Sequence, residues 1–164
     1  MSLLDLFRKK KPALSVLFTS KAASLSILVS VKGQAAVGKI NTFVELFGSD
    51  ISSLSKHPAM ATESANLLVA KLDSEFFSDP GIKEKMAELN VASETKADKA
   101  FFSSLNKVLA TARSQALLIP KMFENPISFQ KKTGLAAFQG VADKIKDIIE
   151  LLSVVEKSFI KAGE

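Results

Sequence analysis

The feature that most restricts the fold of this chain is an unbroken apolar beat in its last third. Phe138, Val141, Ile145, Ile148, Leu152, Val155 and Phe159 follow the spacing 3-4-3-4-3-4. On an α-helix that spacing gathers all seven on one side, whereas on a strand it would scatter them over both faces. Ile149, Val154 and Ile160 widen the stripe beyond the seam of a two-helix contact, so this helix needs two neighbours.

The rest of the chain carries the same beat between short interruptions. Pro12, Gly48-Ser49-Asp50, His57-Pro58, Asp79-Pro80-Gly81, Ile119-Pro120 and Asn125-Pro126 are the punctuation. A first helix from about residue 13 to 47 accounts for Leu14, Phe18, Ala22, Leu25, Val29, Gly33, Ala36, Ile40, Phe43 and Phe47. Ala61, Ala65, Leu68, Leu72 and Phe76 mark a second, with Pro58 suited to its first turn. Asp79 is a cap ahead of Pro80 and opens a short helix through Ile82, Met86 and Leu89. Ser93 is the expected cap of the next, whose stripe is Ala97, Phe101, Leu105, Val108, Ala112 and Ala116. Ser24 to Val31 also alternates with period two, as a strand would, but the longer helical pattern spans it. Four substantial helices and a short one, joined by short loops, predict an all-α antiparallel four-helix bundle with one extra short helix. Residues 13–164 form the single bundle domain in this reading, preceded by a basic amphipathic segment at 1–12.

Composition narrows the chemistry. The 164 residues include no Cys, Trp or Tyr and a single histidine, His57. A thiolate site, a disulfide scaffold and any centre needing two imidazoles are thereby excluded. An apolar share of 47% rules out a disordered chain. Gly33 to Lys39 fits the G-x-x-x-x-G-K phosphate loop except that Ile40 stands where a hydroxyl should hold magnesium. The alternating strands that such a loop requires are missing, so Gly33 and Gly38 read as small residues where helices approach closely. His57 reads as a loop or capping histidine. The carboxylates Glu84/Glu88, Glu94/Asp98 and Asp143/Asp147/Glu150 are interleaved with Lys85, Lys96, Lys99, Lys144 and Lys146, which describes a solvated, ion-paired face. Adjacent helical residues point about 100° apart, so one member of Phe76-Phe77 and of Phe101-Phe102 can miss the core stripe. A broad buried face is the preferred reading, with an apolar patch for a partner or lipid as the alternative. No catalytic residue, metal or cofactor is expected.

Charge is the second signal. Residues 1–57 hold eight basic and three acidic side chains, which accounts for the whole net charge of +5, and Leu6 to Val44 contains no acid. In Met1 to Lys11, the apolar Leu3, Leu4, Leu6 and Phe7 precede four consecutive bases, Arg8, Lys9, Lys10 and Lys11. Such an element lies in a lipid interface while its bases meet anionic headgroups. Over these eleven residues the chain resembles the membrane-targeting starts of bacterial Min-system division factors, and the resemblance implies an anionic membrane as partner.

The expectation is a non-catalytic interaction or structural protein, cytoplasmic, docked on an anionic membrane by its basic segment, with a protein partner or self-association. A carrier of a hydrophobic ligand in the bundle core is the alternative. Nucleic-acid binding ranks below both, since residues 58–164 are neutral and no Tyr or Trp is available for stacking. Ala22 to Val31 followed by Gly33-Gln34-Ala35 also passes as an export signal, in which case residues 1–35 would be a leader. A membrane span is not expected, because Ala13 to Val31 includes Lys21 and several hydroxyl residues.

Overall fold

A computed structural model describes residues 14–48, 58–124 and 128–163. The proposed membrane-contact residues Leu3, Leu4, Leu6, Phe7, Arg8, Lys9, Lys10 and Lys11, together with His57, lie outside the described residues. Five α-helices account for most of the description: α1 (Val16–Gly48), α2 (Pro58–Leu72), α3 (Pro80–Val91), α4 (Lys96–Glu124) and α5 (Ser128–Gly163). No strand occurs among the described residues, and Ser24 to Val31 is helical.

Contacts run from α1 to α5, from α5 to α4 and from α4 to α2, and close from α2 and the turn after it back to α1. The register of each pair gives its direction. Ser26 meets Glu156 and Phe43 meets Phe138, so α1 and α5 are antiparallel. Lys144 meets Gln115 and Phe138 meets Phe123, so α5 and α4 are antiparallel as well. Thr62 reaches Phe123 and Asp73 reaches Arg113, which sets α2 against α4. Successive long helices therefore alternate in direction around the ring, as an antiparallel bundle requires. The short α3 lies outside the ring, on α1.

The apolar stripes form one core. Phe18, Leu25, Ile40, Leu72, Phe76, Leu105, Phe123 and Phe138 are at most 1% exposed. On α5 every described member of the seam from Phe138 to Val155 is buried, and Ala142 and Leu151 join it. Phe77 and Phe102, the second members of their pairs, are partly buried and pack on the same core. Gly33 is the close approach expected of it: a Cβ there would stand 2.8 Å from Ile149 Cδ1 and 3.2 Å from Ile145 Cγ2. Gly38 is not, since a Cβ would meet nothing within 4 Å.

Three local features depart from the sequence reading. Pro120 does not end its helix; α4 continues to Glu124. An internal proline costs about 3 kcal/mol of helix stability. Beyond it, however, Phe123 is fully buried, edge-on to Phe43 at 5.7 Å, and its carbonyl accepts the Thr62 hydroxyl at 2.9 Å. Those contacts hold the last turn in line. The second helix does not stop cleanly either, but passes into a π-helical turn, Asp73–Phe77, which buries Phe76. Finally, Ser93 does not cap α4. Thr95 does, with its hydroxyl accepting the Asp98 N–H at 3.0 Å, while the Ser93 hydroxyl is buried without a hydrogen-bond partner.

Candidate functional site

The end of the molecule where α1 begins is organised around Asp98. Thr95-x-x-Asp98 is a capping box: Thr95 Oγ1 accepts from Asp98 N–H, and Asp98 Oδ2 accepts from Thr95 N–H at 3.1 Å. The same carboxylate also accepts from Glu94 N–H at 3.0 Å. It then reaches out of its own helix to Ser15, accepting the backbone N–H at 2.9 Å and the hydroxyl at 2.6 Å. Ser15 Oγ in turn accepts from Phe18 N–H at 3.3 Å, the N-cap geometry for α1. One carboxylate thus serves the first turns of two helices that are far apart in sequence.

Asp98 is fully buried, so the reading of Glu94/Asp98 as a solvated pair is corrected. Burial pushes its pKa up, but the Ser15 hydroxyl and the N–H groups of Glu94, Ser15 and Thr95 outweigh that and hold the carboxyl at about 2. The signal was present in the sequence as a threonine three residues before an acid. What could not be read there was the second partner, Ser15.

This latch fixes the start of α1 against the start of α4. Near it large apolar side chains are exposed. Val16 is 78% exposed and Leu17 49%, and Val91 at the end of α3 is 85% exposed. Leu17 and Val91 also share an open groove of about 420 Å³ between α1 and α3. Lys21 lines the α1 wall of this groove, and Glu84, Ala87 and Glu88 line the α3 wall.

Further along α1 the surface is ion-paired. Asp79 caps α3 by accepting Ile82 N–H at 3.0 Å and meets Lys32 at 2.8 Å, which lowers its pKa, and it is buried. Lys39 pairs with Glu75 on the π turn, and Asp73 takes Arg113 at 2.7 Å and Ser78 at 2.8 Å. The Arg113 hydrogen bond leads in holding the Asp73 carboxyl down. Lys32, Lys39 and Lys71 surround a second groove of about 290 Å³. Lys39 sits in mid-helix there, with no loop to wrap a phosphate, which disposes of the phosphate-loop pattern. Both grooves are open to solvent.

Asp143, Asp147 and Glu150 are exposed on α5. Among the described residues no group of three His, Cys, Asp or Glu side chains is placed to hold a metal ion. The helix over Val16–Phe47 is long and apolar enough to cross a membrane by length and composition, although Lys21 falls within it. In the fold its core-facing residues are buried against the other helices.

Comparison with family models, with curated proteins and with solved structures finds no match to this chain.

Proposed function

We propose that this is a non-catalytic interaction protein that sits peripherally on an anionic membrane, on its cytoplasmic side, with the α1-start end of the bundle facing the lipid. The observation that carries the reading is the exposure of Leu17 and Val91, which share one groove, and of Val16 next to them in the chain, at the start of α1. Large apolar groups beside a run of bases are what a lipid interface rewards, through burial of the former and headgroup attraction of the latter. Leu3, Leu4, Leu6 and Phe7 supply further apolar area, and Arg8, Lys9, Lys10 and Lys11 supply the charge. The cytoplasmic leaflet carries the anionic lipid, which supports that localisation.

Flotation with vesicles tests the reading. The full chain should float with phosphatidylserine-containing vesicles, fail to float with neutral ones, and detach as salt rises. Charge reversal of Lys9, Lys10 and Lys11 to Glu should abolish flotation. Equal recovery on neutral vesicles, or no loss on charge reversal, would remove the proposal.

A further inference from the structure

The groove between α1 and α3 is a docking surface in search of an occupant, and we infer that its occupant is the chain's own segment Leu3 to Lys11. The inference deepens the membrane reading, and rests on it, only in making this the same segment that would otherwise engage lipid.

Four observations meet here. First, the groove has apolar lining in Leu17, Ala87, Val91 and Ala92, with Leu17 and Val91 exposing large side chains that no other described element covers. At about 420 Å³ it lies within the ~300–1,000 Å³ range of sites that take a bound group. Second, the chain outside the description ends beside it. Residue 14 is three residues before Leu17, and Lys21 is about 8 Å along the helix from its first residue, Val16, at 1.5 Å per residue. An extended chain covers at most ~3.6 Å per residue, so the ten residues from Leu4 to Leu14 reach anywhere along the groove with slack to turn back.

Third, the chemistry matches. Leu3, Leu4, Leu6 and Phe7 are the apolar anchors, and the bases that follow find opposite charge on the α3 wall, in Glu84 and Glu88. Lys21 on the α1 wall lines the same space, and Glu88 is also met by Lys85 at 3.6 Å. The segment carries one acid, Asp5, against the four bases Arg8, Lys9, Lys10 and Lys11, so it stays positive, and α3 supplies the carboxylates that line this groove. Fourth, the root of the segment is fixed. Asp98 holds Ser15 by two hydrogen bonds, so the segment leaves from a defined point and its local concentration at the groove is high. A docked segment covers Leu17 and Val91 and occupies its own anchors. Anionic lipid must therefore displace it.

The absence of cysteine makes the test direct. In the full chain, Ser2→Cys is combined with Ala87→Cys in the groove, or with Ala100→Cys. Ala100 is exposed on α4, two residues after the Asp98 that touches Ser15. Docking predicts disulfide formation at 87 about tenfold faster than at 100, as an effective-concentration difference. It also predicts that the rate at 87 falls when Glu84→Lys and Glu88→Lys are added, while the rate at 100 does not, with unchanged circular dichroism. Equal rates at the two positions overturn the proposal, and so does a product that is a cross-linked dimer, which would make the occupant a second copy. Anionic vesicles should slow cross-linking at 87 and neutral vesicles should not. If cross-linking is selective but vesicles have no effect, the docking stands and the competition with lipid falls. If flotation succeeds and cross-linking is unselective, the membrane reading stands without the docking.

Discussion

The two longest helices, α1 and α5, solve the same packing problem with opposite surfaces. Both supply a long apolar stripe to the core, and they pack on each other along most of their length. Yet α5 leaves no large apolar side chain exposed among the described residues, whereas α1 exposes Val16, Leu17, Ile27, Val31 and Leu46. The difference teaches what the core uses. On α5 the apolar content matches the neighbours available, while on α1 it exceeds them. Single exposed apolar residues are ordinary on protein surfaces, so the surplus matters where it clusters, at the start of α1 beside α3.

Five measurements break or sharpen that contrast. The largest effect is expected from Phe138→Ala on α5, which empties a fully buried site against Phe43 and Phe123; it should cost about 4 kcal/mol in denaturant unfolding. Asp98→Ala at the start of α1 should cost about 3 kcal/mol, since two helix caps lose a charged acceptor and several donors are left unpaired. A melting temperature within a degree of the parent would show that the latch is not needed.

The third is a pH effect with a defined sign. The Asp98 carboxyl is held at about 2 in the fold, below the ordinary 3.8, so its stabilisation is fully present above about pH 4 and is lost as pH falls toward 2. The loss should be about 2 kcal/mol, and Asp98→Asn should flatten it; an unchanged acid limb in that variant would contradict the assignment.

Smaller effects test α1 alone. Gly38→Ala should stabilise by about 0.5–1 kcal/mol, because a helical glycine is replaced where the added Cβ meets open space. At Gly33 the same change should gain less or nothing, since the Cβ presses on Ile149 and Ile145. Smallest of all, Ile27→Ser and Val31→Ser should each change stability by no more than about 0.5 kcal/mol. A loss above 2 kcal/mol in either would mean that this face of α1 is covered, and the contrast with α5 would collapse.

The helices were legible in the sequence to a useful degree. The stripes Phe138 to Val155, Ala65 to Phe76 and Phe18 to Phe43 are buried as their spacing required. The Asp79-Pro80 start of α3 was legible too, because an N-cap and a first-turn proline are local devices. The site at the start of α1 was half legible. Its basic segment stood out as a charge run, but Asp98 was misread, since its second partner Ser15 is a contact between distant parts of the chain. Pro120 was misread for a related reason: the local penalty is real, and distant contacts at Phe123 exceed it.

By itself the sequence determined the class of fold and the inward face of each rod, because a spacing near 3.6 is a property of the backbone that every local stretch expresses. Tertiary structure alone decided which apolar residues on α1 go uncovered, which glycine is crowded and which acid is withdrawn from water. Those outcomes depend on how many neighbours a helix acquires and on what their side chains bring, and neither is written in the period of any one segment.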